Sequence, residues 1–255
     1  MPYEKDLLVL FRDSKILFNT LHSNFFFSKD KFPESFNVIK TFKHNNKKIL
    51  VGAYNSNKIS EGYSLIGLRE LFPIINSDDF FILSKSFQIY NWSKQHKFCG
   101  ACGQKTLEVN ESEFSKFCEN CEINFYPRIS PVVMALIKRN DQILLARSYH
   151  FPKGMFSALA GFCEVGESLS MTLDREIYEE VGIYVNNYTY FSSQSWPFPH
   201  SLMIAFECDY VSGKIKIDKN EIEDAKWFSK NKISCSLPSK MSIARRLIDN
   251  YLGNI

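Results

Sequence analysis

Gly161-Phe-Cys-Glu-Val-Gly-Glu167, followed after seven residues by Arg175-Glu176-Ile177-Tyr178-Glu179-Glu180-Val181-Gly182-Ile183, is the stretch that decides how this chain folds. Ser168 stands where a helix needs a side-chain oxygen for its first N–H groups, and Gly182 where it can end in a left-handed residue. Between them Leu169, Leu173, Ile177 and Val181 recur every fourth position. The segment therefore predicts a helix whose slowly rotating apolar stripe packs on a sheet. At about 100° per residue, Glu176 and Glu180 project close together at one margin of the stripe, with Glu179 further round. Like charges at this spacing destabilise a helix by roughly a few tenths of a kcal/mol, and a cation removes the conflict. Carboxylate oxygens are the ligands that Mg²⁺ and Mn²⁺ prefer, and those ions neutralise a bound diphosphate. An ordinary solvated acidic helix would also carry glutamates, but it would not need Gly161, Glu167 and Arg175 at these positions.

Outward from this segment, Pro131–Ile137 and Gln142–Ala146 are apolar runs joined by Lys138-Arg139-Asn140-Asp141, a β-hairpin with a polar turn. Strands are expected around Met203–Asp209 and Lys226–Phe228, and a last helix at about Ser239–Leu252. On the N-terminal side, Cys99-x2-Cys102, fifteen residues, then Cys118-x2-Cys121 has the spacing of a four-cysteine zinc ribbon. A two-residue gap lets one tight turn offer two thiolates to one metal, and two such turns complete a tetrahedron. With all four positions taken by sulfur, the site is structural. A redox Cys-x2-Cys pair is the competing reading, and duplication at ribbon distance favours zinc. Lys94, Lys97, Lys105 and Lys116 lie among Trp92, Phe98, Phe114 and Phe117. That mix either holds phosphates and stacks bases or is the ribbon's small core with a solvated lysine face; the second reading is favoured. Before the ribbon, short runs at Leu7–Phe11, Lys15–Phe18, Ile49–Tyr54 and Phe80–Leu83 suggest a β-rich N-terminal domain. The expected organisation is thus residues 1–93 β-rich, 94–126 ribbon and 127–255 catalytic.

Gly161 to Ile183 matches, position for position, the box of the Nudix hydrolases, and the chain resembles that family. The resemblance implies an α/β/α sandwich around a mixed sheet, here behind the zinc ribbon and the β-rich region. It implies that Glu176, Glu179 and Glu180 bind catalytic Mg²⁺ or Mn²⁺, with Glu180 orienting or deprotonating the attacking water. Arg175 and Glu167 would join loop to helix by a salt bridge. Downstream, Ser193-Gln194-Ser195-Trp196-Pro197-Phe198-Pro199-His200-Ser201 is similar to the SQPWPFPxS signature of the NADH pyrophosphatase subgroup, whose members also remove NAD caps from RNA. Ser195 stands where the signature has proline. Pro197 and Pro199 stiffen the backbone on both sides of Phe198, and Gln194 and Ser201 are read as hydrogen-bonding to nicotinamide or ribose. Carried over by position, Glu221 and the Ala160 carbonyl join the metal site, while Tyr126 and Phe162 give aromatic contacts. Arg69, in Gly67-Leu68-Arg69-Glu70-Leu71, and Ala244 match weaker substrate contacts. The family resemblance also implies a homodimer.

Composition sets bounds on the rest. The 255 residues are 45% hydrophobic, enough for one large or two modest cores. Lys and Arg number 31 against 28 acidic residues, and a net charge of +3 does not mark a nucleic-acid binder by itself. No run approaches the roughly 18 apolar residues that span a bilayer, and Met1–Leu10 lacks the basic start of a signal peptide. A cytosolic protein without membrane association is expected. The odd total of seven cysteines argues against a disulfide framework, leaving Cys163, Cys208 and Cys235 as inert thiols. The expected reaction is hydrolysis of the NAD(H) pyrophosphate. ADP-ribose or a dinucleoside polyphosphate is the alternative substrate, and a zinc-ribbon nucleic-acid adaptor the alternative class.

Overall fold

The computed structural model describes residues 6–32, 34–109 and 113–253. The chain divides into two compact units, Met1–Arg128 and Ile129–Ile255. Among the described residues no helix is long and apolar enough to cross a membrane.

In the first unit, β1 (Leu7–Arg12), β2 (Lys15–Asn19), β3 (Phe27–Ser28), β4 (Phe36–His44), β5 (Lys47–Tyr54) and β6 (Tyr63–Ile66) form one sheet. Its order is β4-β5-β1-β2-β6, with β3 beside β1. Leu8, Leu10, Leu17, Phe27, Leu50 and Tyr54 make its core. The region is β-rich, as expected, but Phe80–Leu83, grouped with the strand-like runs, lies within the helix α1 (Ser77–Gln95). Asn76 caps α1 by accepting from Asp79 N, and Asp78 and Asp79 suit the positive end of its dipole. Phe80, Leu83, Phe87 and Tyr90 are buried at intervals of three and four residues, which is a helical period.

Cys99 and Cys102 precede the small sheet of β7 (Leu107–Glu108), β8 (Lys116–Cys118) and β9 (Ile123–Phe125), and Cys118 and Cys121 lie at its β8–β9 turn. Two of the lysines read as a possible RNA face have structural work here. Lys116 is buried, donates to the Ser93 carbonyl at 2.8 Å and lies 3.6 Å from Glu108 Oε1, while Lys94 pairs with Asp13. Trp92 is 3% exposed, so it is a core residue. Phe98, by contrast, is 63% exposed.

The second unit is a sandwich. Its sheet runs β13-β14-β10-β11-β15, where β10 is Ser130–Arg139, β11 Gln142–Ser148, β13 Ile183–Trp196, β14 Ser201–Gly213 and β15 Ile222–Ser229. The short β12 (Leu159–Phe162) pairs antiparallel with β10, whereas β10 and β14 are parallel. Val133, Ala135 and Ile137 face a core shared with Leu173, Ile177 and Val181 of α2 (Leu169–Val181). The alternate residues Met134 and Leu136 face a second core with Ile243, Leu247 and Ile248 of α3 (Ile243–Leu252). A strand buried on both faces reads as a continuous apolar run, as Pro131–Ile137 does. Ser168 caps α2 by accepting from Met171 N, and Gly182 ends it at φ 69°. The polar edge strand β13 was not legible as a strand: three register shifts break its alternation.

Candidate active site

The segment from Gly161 to Ile183 folds as the end of β12, a loop and α2, and Arg175 ties the three together. Its Nε and Nη2 donate to the two oxygens of Glu167 at 2.6 and 2.8 Å, and Nη2 also donates to the Phe162 carbonyl at 3.0 Å. Nη1 donates to Glu176 Oε1 at 2.8 Å and to Glu179 Oε2 at 3.1 Å. Glu167 further accepts from Glu164 N and Thr172 Oγ1, both at 2.9 Å. The Arg175 guanidinium and these donors hold the Glu167 carboxyl down to about 2. It is fully ionised at neutral pH and serves as a fixed brace.

The remaining glutamates are held differently. Glu180 is 6% exposed and its Oε2 has no hydrogen-bond partner. Burial, followed by the charges of Glu176, Glu221 and Glu179, pushes its carboxyl up to about 8. Glu176 is raised in the same direction, again mainly by burial. An orphaned buried carboxylate oxygen under the influence of other carboxylates is relieved by a cation, so the chemistry of these residues suits a divalent metal. Glu221 lies in the turn before β15, yet acts electrostatically on both Glu176 and Glu180. Ala160 lies on β12 opposite Met134.

Gly161 is required by Glu176. A Cβ at Gly161 would stand 1.9 Å from Glu176 Cδ and 2.1 Å from its Oε2. The obstacle is a side chain, so Gly161→Ala is expected to fold while displacing Glu176. A misplacement of about 1 Å at a reacting site costs about 10²-fold. The expected outcome is therefore a kcat/KM loss of that order, with the thermal midpoint within a few degrees of the parent.

The four thiols Cys99, Cys102, Cys118 and Cys121 all lie within 4.8 Å of one another. Cys102 and Cys118 Sγ are 3.6 Å apart, close to the ~3.8 Å edge of a tetrahedron with Zn–S bonds of about 2.3 Å. The set fits such an ion. The Gln104 backbone N–H and the Cys121 thiol hold Cys102 down to about 6.

The proline-aromatic motif is a hairpin loop. Trp196 ends β13 opposite Ser201, which begins β14. The Trp196 and Phe198 rings meet edge to face at 5.2 Å, and the Phe198–Pro199 peptide is cis. His200 Nδ1 lies 3.0 Å from Ser130 Oγ. Two residues expected to contact substrate also have structural roles. Gln194 donates through Nε2 to the Met241 carbonyl at 2.8 Å and accepts through Oε1 from Ile243 N at 2.7 Å. Both ends of its amide are engaged, so it anchors the loop to the start of α3. Ser201 is 4% exposed and sits in the ladder, because the strand it begins is interior to the sheet. Ala244 packs its methyl in the α3 core, which leaves only its backbone for a ligand. Phe162 is 53% exposed beside the brace. Arg69, in a 3₁₀ turn, and the exposed Tyr126 belong to the first unit.

Residues 128–251 match the NUDIX domain family. A Pseudomonas putida protein named NAD-capped RNA hydrolase NudC is 46% identical over 192 residues, spanning 75% of this chain and 69% of that protein. Its namesake in Pseudomonas entomophila is 45% identical over 193 residues, 76% and 69% of the two chains. The chain belongs to the Nudix family. A crystal structure of a Nudix hydrolase from Nitrosomonas europaea superimposes with a TM-score of 0.49 at 22% identity, covering 61% of this chain and 88% of that one.

A cavity of about 630 Å³ lies elsewhere in the Nudix unit, lined by Lys138, Arg139, Asn140, Asp209, Tyr210 and Tyr251. Its charges are already satisfied. Lys138 meets Glu207 at 3.0 Å and Asp209 at 3.6 Å. Arg139 bonds Gln142 and stacks 4.0 Å over Trp227. Among the described residues that cavity carries no unpartnered carboxylate comparable with Glu180 of α2. Sequence reading missed Thr172, which supports Glu167, and the Arg147–Glu223 pair near Glu221; neither lies inside a recognisable motif.

Proposed function

We propose that this chain hydrolyses the pyrophosphate of NAD(H), giving AMP and nicotinamide mononucleotide, and removes the NAD cap from RNA. The observation that carries the reading is the buried, unpartnered carboxylate of Glu180 beside Glu176 and Glu221 on a complete Nudix helix. The name borne by its relatives, NAD-capped RNA hydrolase, supports the choice of substrate.

Glu176, Glu179, Glu180, Glu221 and the Ala160 carbonyl would hold Mg²⁺ or Mn²⁺, and the four cysteines Zn²⁺. The divalent ion supplies charge neutralisation at the phosphoryl oxygens and acidifies bound water. Glu180 would orient the attacking water and accept its proton. Arg175 keeps Glu176 and Glu179 facing one way. The Trp196–Phe198 pair, braced by Pro197 and Pro199, together with Phe162, offers aromatic faces to the bases, and Ser195, His200 and the Ala244 backbone offer polar contacts. The active form is a homodimer in the cytoplasm.

Incubation with NADH, NAD, NAD-capped RNA and ADP-ribose plus Mg²⁺ or Mn²⁺, with products separated by chromatography, tests the reading. AMP with nicotinamide mononucleotide, and RNA ending in a monophosphate, are expected. Cleavage of ADP-ribose alone would remove the substrate assignment and leave the Nudix chemistry standing. RNA binding without any turnover would favour the adaptor.

A pH dependence follows from Glu180. Its folded carboxyl is raised from the ordinary 4.5 to about 8, so the folded state keeps a proton that the unfolded chain releases. That contribution to stability is complete below about pH 4.5 and is lost as pH rises toward 8. A cation must displace the same proton. Mn²⁺ affinity is therefore expected to rise about tenfold per pH unit below 8 and to flatten above it. Titrations between pH 6 and 9 check this, and a slope unchanged in Glu180→Gln would refute it.

A further inference from the structure

The turn carrying Glu221 is suspended between two anchors. Upstream, Asp218 N donates to the Glu180 carbonyl at 3.0 Å, and Asp218 O accepts from Glu221 N at 3.2 Å and Ile222 N at 2.9 Å. Downstream lies a β-bulge. Strands β11 and β15 pair residue for residue from Gln142↔Ser229 to Arg147↔Asp224, after which Ser148 pairs with Ile222 and Glu223 is the extra residue. The extra residue reverses the alternation. Ile222 consequently joins Ala225 and Trp227 on the α2 side of the sheet, where an unbroken strand would turn it to the other face.

Arg147 grips this extra residue. Its Nε lies 2.8 Å from Glu223 Oε2, and its side chain is only 12% exposed. Its Nη1 also donates to the carbonyls of Pro152 and Met155, so the guanidinium joins the bulge to the loop after β11. We infer that Arg147 is a positioning residue for the glutamate cluster, holding the Glu223 bulge and thereby the turn that presents Glu221 to Glu176 and Glu180. Without the grip, the pairing can slide by one residue, which moves Ile222 out of its core and re-aims Glu221. The inference rests on the reading of Glu221 as a metal ligand.

The test is direct Mn²⁺ binding to the full chain, with free Mn²⁺ read by electron paramagnetic resonance. Partners that orient metal ligands typically contribute about 10- to 100-fold in affinity. Arg147→Gln and Glu223→Gln are each expected to weaken binding by about tenfold, Arg147→Lys to recover part of the loss, and Glu221→Gln to weaken it at least as much. The double variant Arg147→Gln/Glu221→Gln should bind no more weakly than Glu221→Gln alone, because both act through one carboxylate. Parental affinity in Arg147→Gln and Glu223→Gln, with Glu221→Gln weakened, would overturn the inference and spare the metal site. Additive losses in the double variant would overturn it too. Parental affinity in Glu221→Gln would overturn the metal role of Glu221 and the inference with it. Should Arg147→Gln not fold, Glu223→Gln carries the same comparison, since that side chain is 43% exposed.

Discussion

Glu180→Gln is expected to lower kcat by about 10²- to 10⁴-fold with little change in KM. The substitution keeps shape and helix propensity but removes the carboxylate that handles the water. A fall in kcat and kcat/KM together marks an interaction made only in the transition state. Loss of fold will not explain the result. Glu180 is buried with an orphaned oxygen, and a neutral amide relieves the burial of charge, so the thermal midpoint at pH 8 should hold or rise. Glu179→Gln is the informative contrast. Its side chain is 59% exposed and leans on Arg175 at 3.1 Å, so its loss should be the smaller. A Glu180→Gln enzyme retaining more than about a tenth of parental kcat would remove the residue from the proton transfer.

The second large effect is expected at the ribbon. Cys118 is fully buried and Cys99 nearly so, on a sheet whose strands are two or three residues long. Such a module has too little apolar surface to hold itself together, whereas a structural zinc contributes roughly 10–16 kcal/mol in comparable small folds. Cys118→Ser, or exhaustive chelation, should take the zinc content from one ion per chain to nearly none. It should also open the region around residues 97–125 to proteolysis. Full protection of that region in zinc-free protein would show that Lys116, Trp92 and their neighbours suffice without the ion.

The glutamate helix was legible because its features are local. Cap, stripe, terminal glycine and acidic spacing all lie within one segment, and Ser168 and Gly182 stand in the structure where those patterns put them, while Arg175 bridges to Glu167 as the family resemblance implied. The cysteine cluster was legible for the same reason. What escaped was direction and long-range register. Gln194 has the right chemistry for a ligand contact, but residue type does not show that its amide points at Met241 and Ile243. Phe80–Leu83 resembled a strand when read as a short run, and only the wider spacing to Phe87 and Tyr90 reveals the helix. Strand β13 hid behind its bulges, and the pairing of Glu223 with Arg147 spans elements that no local pattern connects.

The anchoring of Gln194 has an evolutionary meaning. A hairpin loop clipped at one end by the Gln194 amide and at the other by His200 against Ser130 behaves as an exchangeable cassette. On the proposed reading, in which the rings at 196 and 198 meet the bases, mutation there explores new bases while the clip at 194 keeps the loop seated in the same frame. On that reading a changed preference runs through the tip of the loop, and position 194 serves as its seat.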